Sequence, residues 1–587
     1  MTDRLVDQAE RLAEARHIAP SGPVVRIPAG DLRALRDHLC EGDDVVLIDG
    51  RSVLHAPALR AVIGDDRISS GLLVARGESG EGGDGRWPVK LDRDARVVVS
   101  VGSPLHEPVT ARASSVGVLR LDGDAAQEAA EALQAAAETL ETSADASRAV
   151  TTGRDATTLA QAPVEAVAAA AVTAGVRLRP IELRGMQASR PDGPGAAVHA
   201  LRRCEDRDED RAWLDAAVKA KDGWFTTFFV SPYSRFVARW AAGAGLSPNQ
   251  VTTLSALVGL AAAVAFAVGS LPAAIVGAVT LQIAFMLDCV DGQLSRYTQR
   301  FSTFGAWLDS MLDRGKELLV YLGLAIGGLR AGEADIWLLA VASAALLVLR
   351  HSIDLTFEAA RPAPELEPAP LRQGPDRDAP AVYPDGPETT VPAAPTGSGL
   401  RGLARSRPVG WLARILSFPI GERFAAISLL SVFATRRTTF LVLLVWGLIA
   451  WAASIALKLL RSRRWPSSKM GWLLAATPRL LEYGAIVGVA IAVPDVRPAA
   501  FALILALGLR HYDEGYRART LGDGRTDATT RIVLGAWHVR AALLVLAALL
   551  ELAVPVAWAL TFVVGVLGAV DLVRAWLPTT FPDGSPR

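Results

Sequence analysis

Between residues 288 and 313 the chain reads DCVDGQLSRYTQRFSTFGAWLDSMLD, which sets Asp288, Asp291, Asp309 and Asp313 in otherwise apolar sequence. Asp288 and Asp291 are three apart and Asp309 and Asp313 four apart, so on helices each pair projects from one face, one turn above the other. At membrane depth each carboxylate costs roughly 3 kcal/mol on insertion scales. Clustered, the four also repel one another, and one or two divalent cations reverse that balance. Oxygen ligands without His or Cys select Mg²⁺ or Mn²⁺ over zinc. Cations in such a site commonly hold phosphates, and a pair of them can stabilise both charges of an in-line phosphoryl displacement. Gly292, beside the second aspartate, permits close approach of a ligand, and Gly305 permits close packing of the two helices.

The elements that carry these residues must cross a membrane. Of the 587 residues 51% are hydrophobic, yet the first 220 are polar and patterned like a soluble domain. The apolar runs begin later, at residues 251–268, 272–287 and 337–349. Zero formal charge argues against a nucleic-acid partner. The N-terminal MTDRLVDQAERLAEA lacks the apolar stretch of a signal peptide, so the first domain is expected in the cytosol. Cys40, Cys204 and Cys289 are too scattered for a disulfide framework or zinc cluster and read as reduced thiols, Cys289 as a small packing residue.

The expected architecture is a soluble α/β N-terminal domain followed by an all-α polytopic membrane domain. Residues 1–205 alternate short apolar runs (VVRI, DVVLIDG, SGLLVA, ARVVVSV, SVGVLRL) with helical stretches at 31–39 and 125–140. A second region, 206–358, opens on KDGWFTTFFVSPYSRFVARWAA, whose aromatics and basic residues suit a helix in the membrane interface. Spans follow near 251–269, 272–290, 303–328 and 334–356. Residues 359–410, rich in Pro, Ala, Gly and charge, read as a disordered linker. Region 411–464 adds spans near 420–435 and 439–460, completing six, and region 465–587 adds four weaker ones near 476–493, 498–511, 535–552 and 554–576. Arg461, Arg463 and Arg464 mark a cytosolic end, which puts the aspartates at the cytosolic ends of the second and third spans. Arg436 and Arg437 run against that count.

The aspartate segment resembles the signature of the CDP-alcohol phosphotransferase family, D-x-x-D-G-x-x-A-R, eight residues, G-x-x-x-D-x-x-x-D. It is matched by Asp288, Asp291, Gly292, Arg296, Gly305, Asp309 and Asp313, with Ser295 in place of the alanine. A chance match of seven fixed positions is on the order of one in a million. The order of interfacial helix, SPNQVT and six spans is similar to the family from about Lys221 to Arg464. The resemblance implies transfer of a substituted phosphate from a CDP-alcohol to an acceptor hydroxyl with release of CMP, dependent on Mg²⁺ or Mn²⁺. It implies that Asp288, Asp291 and Asp309 are metal ligands and that Asp313 is the base, also near the metal. Gly292, Gly305, Asn249 and Thr252 are nucleotide-side candidates, and Arg296 either steadies a phosphate or holds the loop. Implied partners are a CDP-alcohol donor, a hydroxyl acceptor and the bilayer, with a homodimer left open. The implied setting is the cell membrane, with the N-terminal domain and active site facing the cytosol. The competing reading is a cation transporter or membrane scaffold that uses the aspartates as an ion site.

Glu422 and Arg423 are similar to a position found in members with polyol acceptors. They read either as an acceptor-phosphate pocket, which would fit an inositol-phosphate-like acceptor, or as a mutual ion pair. His351 and Asp354 read as interfacial residues without partners, and Arg479, Glu482 and the stretch Arg510 to Arg517 as a structural ion-pair cluster. The N-terminal DDVVLIDGRSVLHAPALRAVI resembles a nucleotide-sugar nucleotidyltransferase, which casts Asp49 as a metal-binding aspartate. That fold's glycine-rich phosphate loop has no counterpart, since GESGEGGDG at 77–85 precedes a strand and reads as a flexible hairpin loop. The domain is therefore expected to be degenerate and noncatalytic.

Overall fold

The structure, a computed structural model, describes residues 25, 27, 32–65, 67–76, 86–92, 94–103, 111, 113–145, 162–183, 186–191, 193–206, 208–219, 222–368, 407–463, 470–520 and 535–580. The 77–85 loop and residues 369–406 of the expected linker lie outside this set. The chain divides into two compact units, Met1–Ala220 with Ala363–Gly402, and Lys221–Pro362 with Leu403–Arg587.

The first unit runs α1 (Leu32–Leu39), β1 (Val45–Ile48), β2 (Val53–Leu54), α2 (Ala56–Ile63), β3 (Gly71–Arg76), β4 (Trp87–Leu91), β5 (Val98–Val101), β6 (Ala113–Leu121), α3 (Gly123–Asp145), α4 (Pro163–Ala174), β7 (Arg179–Glu182), β8 (Ala188–Ser189), α5 (Pro194–Glu205) and α6 (Glu209–Ala217). Its main sheet has the order β5-β4-β6-β3-β7, with β1 also on β6 and only β3–β7 parallel. β6 can serve three neighbours because it is nine residues long: β3 takes one edge, while β4 and β1 pair with its beginning and end. Leu72, Val74, Val89 and Leu119 pack beneath the alanine-rich faces of α3 and α4. Proline opens α4 and Gly175, at φ +98°, closes it in the left-handed conformation that a side chain disfavours.

Asp49 follows β1 and is not open to a metal. Its carboxylate is ion-paired with Arg190 and lies 3.0 Å from the Arg51 guanidinium. Arg190 also reaches the fully buried Glu165 at 2.9 Å, and Ser115 donates to that carboxylate at 2.7 Å. An arginine thus stands where the resemblance places a cation, a correction whose cause lies 141 residues from Asp49.

Both described ends of the stretch 359–410, expected as a disordered linker, have structure. The Glu367 amide donates to the Val99 carbonyl at 2.9 Å and Leu366 packs on the sheet core, while residues from Arg407 onward are helical.

The second unit opens with a π-helical turn, Thr226–Val230, leading into α7 (Ser231–Gly243). Phe228, Phe229, Tyr233, Phe236 and Trp240 are exposed there, and the Arg235 and Arg239 guanidinium groups sit 5.1 and 5.8 Å from the centre of the Phe236 ring. Such a basic and aromatic face suits the membrane interface. Next come α8 (Pro248–Val268), α9 (Leu271–Thr298), α10 (Thr303–Arg330), α11 (Ile336–Ala359), the short α12 (Arg407–Leu416), α13 (Ile420–Phe433), α14 (Arg436–Ser462), α15 (Gly471–Ala492), α16 (Arg497–Thr520), α17 (Trp537–Leu549) and α18 (Ala553–Thr580).

Ten of these helices fall where spans are expected, and six (α8, α9, α11, α14, α15 and α18) are long and apolar enough to cross a membrane, which makes this a multi-pass membrane protein. α13 and α17, at 14 and 13 residues, reach only about 20 Å of a hydrocarbon core about 30 Å thick. α10 is long enough but carries Asp309, Asp313, Arg314, Lys316 and Glu317.

Those charges are tolerable because α10 packs against α8, α11, α14 and α16, away from lipid. Small residues permit the contact: a Cβ on Gly323 would lie 2.2 Å from the Ala263 carbonyl oxygen. One buried pair joins α10 to α13. Arg423 contacts the Glu317 carboxylate through Nε at 2.5 Å and Nη2 at 3.0 Å, and its Nη1 donates to the Phe418 carbonyl at 2.6 Å.

Removing one partner of a buried pair strands the other charge at a cost of about 3–5 kcal/mol. Arg423→Met should therefore lower the thermal unfolding midpoint of the detergent-solubilised chain, and Glu317→Met/Arg423→Met should recover much of the loss. Additive losses in the double variant would show that the two side chains do not act as a pair. In the first unit, Arg190→Met strands the buried Glu165 and leaves Asp49 to Arg51 alone. Limited proteolysis of the full chain should then cut the N-terminal unit at least tenfold faster, and unchanged cleavage would refute the structural role given to this arginine.

Candidate metal centre

The junction between α9 and α10 determines where the aspartates meet. α9 ends at Thr298, Gln299 turns the chain at φ +54°, and Ser302 caps α10 by accepting from the Gly305 amide at 2.9 Å. Asp288 and Asp291 then lie within about three turns of the end of α9, and Asp309 and Asp313 within about three turns of the start of α10.

Carboxylate oxygens of Asp288, Asp309 and Asp313 all come within 4.8 Å of one another. Ligand oxygens around a small divalent cation bound at about 2.1 Å are separated by about 3–4 Å, so slight contraction of this trio completes part of a coordination shell. The donor set is all carboxylate and fits Mg²⁺ or Mn²⁺. Asp291 stands outside the trio: it is buried, and its Oδ2 accepts a hydrogen bond from the Thr252 hydroxyl of α8 at 2.6 Å.

The other signature residues surround this centre in specific ways. The Arg296 guanidinium lies along Gly292, where a Cβ would meet Nη1 at 3.4 Å. At Gly305 a Cβ would lie 2.5 Å from the Asn249 side-chain oxygen, so this glycine lets the start of α8 rest against the start of α10. Thr252 therefore acts on Asp291 and Asn249 on Gly305, two contacts that the SPNQVT segment supplies from one helix end.

Glu422 and Arg423 are not each other's partners. The amide of Phe225 donates to Glu422 at 3.3 Å, and a Cβ on Gly223 would lie 2.6 Å from its carboxylate, so Glu422 holds the chain entering the interfacial helix. Arg423 is committed to Glu317, a residue that sequence reasoning missed. The pair is 106 positions apart, and no local pattern announces it. His351 and Asp354 also differ from expectation: His351 shares a hydrogen bond of 2.9 Å with Tyr512, and Asp354 is ion-paired with Lys458.

Lys316 is the other residue that the sequence did not disclose. It lies one turn beyond Asp313, is buried, and places its ammonium 2.6 Å from Asp288, 3.2 Å from Asp313 and 2.9 Å from the Ser255 hydroxyl. Its spacing from Asp313 was a usable signal, since residues three apart share a helix face.

On its opposite side α10 is tied to the C-terminal helices. The Trp307 indole donates to Asp513 at 3.0 Å, and Phe304 and Trp307 pack on Trp576. Behind them lies a network of buried charges. Arg510 meets Asp571 at 2.5 Å and Asp513 at 3.3 Å, Arg517 meets Asp513 at 2.6 Å and also Asp571, and Arg540 meets Glu482 at 2.6 Å.

Residues 246–368, which include the whole aspartate segment, match the CDP-alcohol phosphatidyltransferase family model. The chain is 36% identical over 93 residues to an archaetidylinositol phosphate synthase of Pyrococcus horikoshii, covering 16% of this chain and 48% of that protein. It is 42% identical over 81 residues to a bifunctional IPC transferase and DIPP synthase of Aquifex aeolicus, 14% of this chain and 18% of that protein. Against a phosphatidylinositol phosphate synthase of Streptomyces avermitilis it is 31% identical over 114 residues, 19% of this chain and 43% of that protein. The chain thus spans less than half the length of these curated relatives. The matched segment carries the aspartates, the glycines and the helix junction that brings them together, and over this segment the chain is similar to CDP-alcohol phosphatidyltransferases.

Proposed function

We propose that this protein transfers a substituted phosphate group from a CDP-alcohol to the hydroxyl of a polar acceptor, releasing CMP. The observation that carries the reading is the convergence of Asp288, Asp309 and Asp313 in the segment that matches the family. Asp288, Asp309 and Asp313 would hold Mg²⁺ or Mn²⁺, with Asp291 beside them on Thr252. When bound, the cation supplies electrostatic stabilisation of the charge that develops on the phosphate oxygens.

Asp313 takes the proton of the acceptor hydroxyl. The acceptor oxygen forms a bond to phosphorus, the phosphorus bond to the CMP oxygen breaks, and CMP leaves with that electron pair. The Asp313 side chain retains 19% exposure, so a substrate hydroxyl has access to it. The Arg296 guanidinium lies along Gly292, where it would meet a phosphate of the donor. Relatives named as inositol phosphate synthases favour an acceptor of the inositol phosphate class. With Arg423 held by Glu317, that preference rests on the relatives more than on this arginine. We place the site on the cytosolic side of the cell membrane, where a soluble phosphorylated acceptor is available; the arginines that end α14 support that orientation.

The test is CMP release by the purified full-length chain, supplied with CDP-diacylglycerol, CDP-inositol or CDP-glycerol together with hydroxyl acceptors including inositol phosphate. Release should stop with EDTA and return with Mg²⁺ or Mn²⁺. Asp313→Asn should reduce kcat by about 10²–10⁴-fold, the usual contribution of a positioned base. No CMP from any donor, or undiminished release by Asp313→Asn, would instead favour a cation-translocating role for the aspartates.

A further inference from the structure

α14 is 27 residues long, but α13 beside it has only 14, so the chain arriving through α12 turns into α13 partway along α14. That turn is firmly held. Phe418 takes φ +52°, its ring stacks on Trp446 at 4.3 Å and 10°, and its carbonyl accepts from Arg423 at 2.6 Å and from Arg350 at 3.3 Å. The mismatch in length leaves an apolar groove of about 450 Å³ along α14. Thr438, Leu441, Val445 and Ile449 line it at spacings of three and four, with Trp446 beside them and Leu416 of α12 at the end near Phe418. Leu416, Leu441, Val445 and Ile449 are exposed, and no described helix covers them.

The dimensions of the groove match one lipid chain. From Thr438 to Ile449 it runs about 16 Å at about 1.5 Å per residue, close to half of a hydrocarbon core about 30 Å thick. Its volume over that length leaves a cross-section of about 30 Å², the width of a single hydrocarbon chain, whereas a helix is about 10–12 Å across. A cation stands at the Thr438 end. Arg437 is exposed, lies four residues before Leu441 on the border of the same face, and has no ion-pair partner among the described residues. Its neighbour Arg436 is instead taken up by Glu333 at 3.7 Å and by the Gly269 carbonyl at 2.7 Å.

We propose that this groove binds one anionic phospholipid of the leaflet that contains Arg437, with the phosphate on Arg437 and one acyl chain along α14 as far as Trp446 and Leu416. An arginine near a helix end reaches the headgroup layer, where a phosphate is its preferred partner. The chain packs on Trp446 and so backs the Phe418 turn, whose carbonyl holds Arg350 and Arg423. The site uses none of the aspartates and does not depend on the reaction proposed above.

Native mass spectrometry of the detergent-solubilised full-length protein, with phosphatidylglycerol or phosphatidylcholine of identical chains added, tests this. Wild type should retain one phosphatidylglycerol per chain, at least fivefold more than phosphatidylcholine. Val445→Trp, which fills the groove from its exposed side, should lower that retention at least fivefold, and Arg437→Gln should equalise the two lipids. Asp313→Asn should leave retention unchanged. Equal retention of both lipids by wild type, or undiminished retention by Val445→Trp, would mean annular lipid only and overturn the proposal. Loss of the lipid in Asp313→Asn would place it at the acidic centre instead. A dimer that Val445→Trp dissociates would assign the groove to a second copy of the chain, also against the proposal. Should Val445→Trp fail to fold, Arg437→Gln alone decides, since a preference for phosphatidylglycerol that survives it refutes the headgroup contact.

Discussion

The structure depends on holding like charges together in a medium that opposes them. Asp288, Asp309 and Asp313 converge within the helical unit, where low dielectric raises both the self-energy of each carboxylate and their mutual repulsion. Backbone proximity alone would not keep them there. The cluster is held by contacts made from behind: Thr252 on Asp291, and Lys316 on Asp288 and Asp313, with Ser255 behind the lysine. Thr252 and Ser255 come from α8 and Lys316 from α10 itself, so the first span braces carboxylates carried by the next two. Close approach of α8 and α10 follows from small residues, Gly259 beneath the lysine stem and Gly323 against Ala263.

Charge elsewhere in the same unit is managed differently. Arg423 and Glu317 form a matched pair, Arg540 answers Glu482, and two arginines answer two aspartates where Arg510 and Arg517 meet Asp513 and Asp571. Such pairs add little net stability relative to apolar packing, but they penalise any register that would separate them. At the aspartate centre the arrangement is different: Lys316 meets two carboxylates, Asp288 and Asp313, and Asp309 lies with them. Such a group of acceptors offers the kind of donor set that a divalent cation would take. The N-terminal unit makes the converse case. Asp49 occupies a position at the end of a strand where a metal ligand is expected, but Arg51 and Arg190 satisfy it, leaving no excess negative charge to attract an ion.

What the sequence disclosed follows from distance along the chain. Spacings of three and four placed the aspartates on two helix faces, and the apolar runs located ten helices, because both signals are local. The strands around Val45, Gly71, Val98 and Val116 were legible for the same reason. β7 and β8 were missed because they are short and depend on their neighbours for definition. Partners were the larger omission. Asp49 and Arg190 are separated by 141 positions, Glu317 and Arg423 by 106, and Trp307 and Asp513 by 206, beyond the reach of any periodicity. Lys316 lay within reach, but its meaning required Gly259 and Ser255, residues that look like ordinary small positions of a transmembrane helix.

The position of α10 gives the last four helices a physical role. This helix carries two of the three clustered aspartates together with Arg314, Lys316 and Glu317, and would be costly to expose to lipid. α8 covers its ligand-bearing face, and Trp307, Leu318 and their neighbours require cover on the other. α16 and α18 provide it through Asp513, Tyr516, Leu572 and Trp576. The Trp307 indole proton ends on an aspartate that two arginines also hold, so the orientation of α10 is tied to a network that cannot shift one member without unpairing another. Asp309 lies two residues from that tryptophan. A helix rotation large enough to swing Asp309 away from Asp288 would therefore also break the Trp307 contact. The C-terminal helices thus restrain the geometry of the centre without contributing a ligand to it.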